Sequence, residues 1–220
     1  MALLDMVAAE RRGFADLIDS LTPAQLNTPS LCGAWTVKEV AAHLIAPFAT
    51  PPRWFLPLIL RSRFSLHRAN AELARMIARR PAAELAAELR RNERNPFVPP
   101  VVGLYGQLTD LQVHGQDVRR PLGLPHQLDP AHARVSLDFL VSRRSVAFGP
   151  RRPRRGLRFA ATDLEWARGD GPEVRGSAEA LMMALTGRPV VLPELTGDGA
   201  DTFRARAARR EAGPGASGPA

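Results

Sequence analysis

Apolar residues return at helical spacing through most of this chain, in segments cut apart by proline, and that pattern confines it to a bundle of helices. Leu3, Val7, Phe14, Leu17, Ile18 and Leu21 share one stripe of a first helix, which stops before Thr22-Pro23. A short turn follows, with Thr22 as its cap and proline at the first helical position. Residues 27 to 34 read as loop. Thr36-Val37-Lys38-Glu39 is a capping box: the Thr36 hydroxyl accepts from the Glu39 amide while the Glu39 carboxylate reaches back. Trp35 and Val40 supply the flanking hydrophobic staple, and the helix is expected to run until Pro47 disrupts it. Residues 51 to 94 read as helix in at least two pieces, one over 64 to 80 and one over 81 to 91. Further helices are expected over 104 to 120 and, capped by Asp129, to about 147.

Beyond Pro150 the texture changes. Residues 156 to 163 alternate like a strand, 164 to 168 suggest a second, and 173 to 176 a third, with Gly169-Asp170-Gly171 as a turn. Ser177 then caps a helix closed by Gly187. The expected architecture is mainly α: a four-helix bundle over 1–150, a small α+β domain over 151–195, and a disordered tail over 205–220.

Several function classes drop out on composition. Of 220 residues, 45% are hydrophobic and 24% charged, as in a globular protein rather than a disordered one. Cys32 is the sole cysteine, so an internal disulfide and a zinc site of four side chains rich in cysteine are both impossible. The longest apolar run, Trp54 to Leu60, is short and holds a proline, so no membrane span is expected. No signal sequence is read at the N-terminus, and the expected compartment is the cytoplasm. The net charge of +8 rests on 30 basic residues, of which Lys38 alone is lysine. With abundant alanine and proline, that bias points to GC-rich codons before it points to a polyanion. The Arg151-Arg152-Pro153-Arg154-Arg155 cluster reads as a solvated linker, and nucleic-acid binding ranks last.

Chemistry concentrates in two helices. Asp110 and His114 stand four apart, hence on one helical face, the spacing by which one helix supplies two ligands to a cation. Both lie on one flank of the Leu104/Leu108/Leu111/Val118 stripe. His43 lies on the corresponding flank of the Val37/Val40/Leu44 stripe. Two such helices side by side would bring His43, Asp110 and His114 to one divalent ion, zinc being favoured and nickel or iron not excluded. Two imidazoles and a carboxylate with open positions are the composition of a catalytic rather than a structural site. Asp117, near one turn beyond His114, suits the acceptor for the second imidazole nitrogen. Arg119 and Arg120 are candidates for a carboxylate of substrate or thiol, or else simply end the helix. His67, between Arg63 and Arg68, reads as surface; His126 and His132 flank a loop and a cap; Cys32 reads as a buried structural thiol.

Three stretches resemble the mycothiol-dependent maleylpyruvate isomerase family, a branch of the DinB-like metal-binding helical bundles. They are Cys32-Gly33-Ala34-Trp35-Thr36-Val37-Lys38-Glu39-Val40-Ala41-Ala42-His43-Leu44, then residues 110 to 123, then 171 to 181 with Thr186-Gly187-Arg188-Pro189. Their order follows the family from about residue 5 to 190. The resemblance implies zinc held by His43, Asp110 and His114, with mycothiol as cofactor. It implies a metal-activated thiolate that adds to a small electrophile, as isomerase or S-transferase; the electrophile itself is not given. The family's acidic ligand is glutamate, whereas aspartate is one methylene shorter. The ion therefore sits closer to that helix, or the carboxylate binds through water, or it is no ligand. Mycothiol belongs to actinobacteria, which suits GC-rich codons. A non-catalytic metal-binding module and a metal-dependent hydrolase are the competing readings.

Overall fold

A computed structural model describes residues 2–33, 35–50, 65–97, 103–125, 127–145, 148 and 152–211. The chain is mainly helical with one small sheet, and it divides into compact units over Met1–Pro125 and His126–Pro219. The first contains α1 (Leu3–Ser20), α2 (Pro23–Leu26), α3 (Val37–Ala49), α4 (Leu66–Ile77), α5 (Ala82–Arg91) and α6 (Gly103–Arg119). Helix α1 packs on α5 and α6, while α3 packs on α4, α5 and α6. The core between them is aliphatic: Val7, Ile18, Val40, Ile45, Leu85, Leu89 and Leu108 are all fully buried.

The Thr36 capping box forms where the sequence places it, and the Thr22 cap proves to be a second box with Gln25. Thr22 accepts from the Gln25 amide, and Thr36 accepts from the Glu39 amide at 3.3 Å while Glu39 Oε2 accepts from the Thr36 amide at 2.8 Å. Pro47, expected to break α3, instead lies within it. Proline removes one helical donor, the one that would reach the His43 carbonyl, but burial of Leu44, Ile45 and Ala46 carries the helix past that loss. The apolar run at 54 to 60 lies outside the described residues. Among the described residues no helix is long and apolar enough to cross a membrane.

A buried arginine fastens this unit. Arg11 of α1 is only 1% exposed. Its Nη1 donates to the carbonyls of Asn92, Glu93 and Asn95 at 2.6, 2.9 and 2.9 Å, and Nη2 to Gln107 Oε1 at 2.8 Å. The guanidinium also lies 4.8 Å from the centre of the Phe48 ring. The α5 C-terminus thereby finds donors for backbone acceptors beyond its last turn, and positive charge stands where the helix dipole is negative.

The second unit begins earlier than the expected change of texture at 150. Helix α7 (Pro130–Val141) belongs to it because α7 packs against α8 (Ala178–Leu185), a helix whose every residue is buried. Strands β1 (Arg158–Ala161), β2 (Ala167–Arg168) and β3 (Glu173–Gly176) form a sheet of order β2-β1-β3. β1 pairs antiparallel with β2 and parallel with β3, Phe159 opposite Val174. The Gly169/Gly171 turn requires glycine: both have positive φ, and a Cβ on either would stand 2.4 Å from a backbone oxygen. Trp166 Nε1 donates to Asp138 Oδ1 of α7 at 2.9 Å, and Phe159 meets Phe203 edge to face at 5.4 Å. Phe203 belongs to α9 (Ala200–Glu211), so the tail expected to be disordered from 205 is helical through Glu211. Burial of Ala200 and Phe203 against the sheet supplies what local composition did not reveal. Residues 212 to 220 lie outside the described residues.

Replacing Arg11 with alanine removes the guanidinium donor from three carbonyls and from Gln107 Oε1, and should cost about 3 kcal/mol. Urea unfolding at neutral pH measures this; a change under about 1 kcal/mol would contradict the clamp.

Candidate metal centre

Helices α3 and α6 pack against each other, and their predicted flanks meet. Asp110 stands between two imidazoles: its Oδ2 is 3.5 Å from His43 Nε2 and its Oδ1 3.3 Å from His114 Nε2. The two rings lie 5.0 Å apart, edge to face. One donor atom from each of His43, Asp110 and His114 falls within 4.8 Å of the others. Aspartate is thus long enough to face both rings.

The remaining ring nitrogens are also engaged. His114 Nδ1 lies 2.9 Å from Asp117 Oδ2, and His43 Nδ1 lies 3.1 Å from Asn70 Oδ1. Both oxygens accept, so each Nδ1 carries a proton, and in the neutral form of each ring Nε2 turns a lone pair toward Asp110. With both rings neutral, two lone pairs and a carboxylate converge, an arrangement that a cation or a proton on His114 Nε2 relieves. Donor atoms held about 2.0–2.2 Å from one tetrahedral ion stand ~3.3–3.5 Å apart. The observed 3.3 and 3.5 Å, each to a different oxygen of Asp110, lie in that range and exceed the 2.9 Å of the hydrogen bond to Asp117. By donor set and spacing, the residues present fit a divalent ion.

One side of the cluster is sealed and the other open. The side chains of His114 and Asp117 are 2% and 0% exposed, those of His43 and Asp110 15% and 29%. Trp35, itself buried, lies 5.0 Å from the His43 ring and 6.4 Å from the His114 ring. The loop before α3 is pinned beneath them: Ser30 Oγ donates to the Trp35 carbonyl at 2.8 Å, and the Leu31 amide to the Asp117 carbonyl at 3.0 Å. Cys32, buried as expected, stands with His114 and Asp117 in a second compact donor group on the sealed side.

Burial opposes charge on Asp110, yet His114 and His43 beside it hold its carboxyl far below the usual range. Burial likewise opposes the His114 imidazolium, but the Asp110 charge and contacts with Asp110, Asp117 and Cys32 outweigh it and push this imidazole well up. In the absence of a cation the cluster therefore favours carboxylate against imidazolium.

The arginines fare differently. Nine residues at about 100° each carry Arg119 half a turn round α6 from Asp110. Its Nη1 lies over Gly115, where a Cβ would approach to 2.8 Å, and it interacts with Glu10 of α1. Arg119 is thus not brought to the cluster. Arg120, half-buried, closes the last turn through its amide to the Gln116 carbonyl at 3.0 Å. His132, read as flanking a cap, is buried on α7 in the second unit. His126 and the His67 side chain lie outside the described residues. The residue that sequence reading missed is Asn70. Its signal was a polar side chain on the Asn70/Leu73/Ala74/Ile77 stripe of α4, otherwise apolar.

The fold and cluster define a helical bundle with a candidate metal centre between two of its helices. Residues 7–95 match the family model described as mycothiol maleylpyruvate isomerase N-terminal domain, so the family resemblance is borne out over that stretch. The matched segment includes His43; Asp110 and His114 follow it in the chain. No curated protein and no solved structure matches the chain significantly.

In metal-free protein the pair's stabilisation has a defined window. His114, with its folded pKa raised, contributes fully below the ordinary histidine value of about 6.5 and loses this as pH rises through the folded value. Asp110, with its pKa depressed, contributes fully above about 3.9 and loses this as pH falls toward its folded value. The excess stability of wild type over Asp110→Asn should therefore peak between about pH 4 and 6.5 and shrink on both sides, as melting with a chelator present would record.

Proposed function

We propose that the protein is a divalent-metal-dependent enzyme using mycothiol, or a small thiol of that kind, as nucleophile toward a small electrophile. Isomerisation or S-transfer is the reaction class, and the cytoplasm, where such thiols are kept reduced, is its setting. The observation that carries this reading is that His43 Nε2 and His114 Nε2 both face Asp110 while both Nδ1 atoms are engaged. The family match over residues 7–95 supports the choice of thiol.

His43, Asp110 and His114 would hold the ion, zinc being favoured by two imidazoles and a carboxylate. When bound, a divalent ion supplies a Lewis acid that keeps a coordinated thiol as thiolate at neutral pH. The chain's own residues do the rest. Asp117 fixes the His114 tautomer from the sealed side. Trp35 closes the rings off from the loop behind them. The partial exposure of His43 and Asp110 leaves the approach from solvent on their side.

Elemental analysis of the purified protein should find a stoichiometric divalent ion, lost in His43→Ala and His114→Ala. With cobalt in place of zinc, added mycothiol should produce a sulfur-to-metal charge-transfer band in wild type. Absence of metal removes the whole reading. Metal without that band removes the thiol and returns the protein to the hydrolase or binding-module class.

A further inference from the structure

We infer that Asn70 is a positioning residue for this centre: its amide oxygen holds the Nδ1 proton of His43 and so aims the Nε2 lone pair at Asp110. The inference rests on the reading of the cluster as a metal site and adds to it a residue from a third helix. Asn70 Oδ1 stands 3.1 Å from His43 Nδ1, and no contact links it to Asp110 or His114 among the bonds described for it.

The position argues against a merely structural role. Asn70, Leu73, Ala74 and Ile77 follow one another at i, i+3, i+4 and i+7, the stripe by which an amphipathic helix meets its neighbours. Leu73, Ala74 and Ile77 are buried and apolar. Asparagine interrupts them with a side chain that is poor in helix interiors. A leucine there would suit both the stripe and the helix, but would leave the His43 Nδ1–H facing hydrocarbon. The ring could then turn or take the other tautomer, with its proton on Nε2 and no lone pair for a cation. The register of α4 is set by the burial of Leu73, Ala74 and Ile77, with the exposed Arg75 Nε 3.8 Å from Glu39 Oε1 adding little.

The two imidazoles are thus held by unlike acceptors, a carboxylate for His114 and a neutral amide for His43. An amide fixes the tautomer without adding a second buried negative charge beside Asp110.

The test compares wild type, Asn70→Leu, Asn70→Asp and His43→Ala, all metal-stripped, by titration with zinc and cobalt against a chromophoric chelator. Asn70→Leu should bind about 10- to 100-fold more weakly. Asn70→Asp, which keeps the acceptor, should match wild type or bind more tightly. Metal-free Asn70→Leu should melt within a few degrees of metal-free wild type, because the stripe and the helix accept leucine and the freed, part-exposed His43 ring can turn its N–H to solvent. The inference is overturned if Asn70→Leu binds as wild type does, if both Asn70 variants weaken alike, or if metal-free Asn70→Leu melts lower than that. If wild type fails to bind, or His43→Ala binds as tightly as wild type, the metal reading itself falls and this inference with it.

Discussion

What an imidazole's second nitrogen bonds decides where its first one points, and in the first unit both central imidazoles have that nitrogen engaged. The Asp117 carboxylate, wholly buried, meets His114 Nδ1 across 2.9 Å on the sealed side of α6. A buried carboxylate is costly unless it has such a partner, so the pair constrains where α6 can sit and which way His114 turns. Helix α3 must then present His43 on the facing flank. The capping box at Thr36 sets the phase of that helix by fixing its first residue.

This makes the bundle a device for holding short side chains still. Aspartate reaches less far than glutamate, so the helices must come close for Asp110 to stand between the rings. Small residues one turn away on the same faces leave room for this: Ala46, three after His43 on α3, and Gly106, four before Asp110 on α6, are both buried. Arg11, from the opposite side, ties the segment after α5 and Gln107 of α6 to α1. Tight packing and polar anchoring act together to fix three donor atoms within one small volume.

What the sequence made legible were features local to one helix. Periodicity found α1, α3, α5 and α6, and the flank of each stripe placed His43, Asp110 and His114. Asp117 was found by counting one turn onward. Features that depend on a neighbour were not legible in the same way. Asn70 acquires its meaning only from what α3 sets opposite it. Arg119 was judged by nearness along the chain, whereas helical rotation carries it to Glu10 on the far face. Pro47 has a strong local preference that burial overrides, and Ala200–Glu211 has a weak one that burial of Phe203 rescues. The change of unit at 125 rather than 150 follows from which partner covers α7, a choice its own stripe does not record.

The amide of Leu31 is bonded to the main chain of the residue whose side chain grips His114. The segment leading into α3 and the innermost imidazole are therefore mechanically linked through a single amino acid. Displacing the loop around Trp35 would therefore disturb the main chain of Asp117 directly, from the side of the ring turned away from solvent.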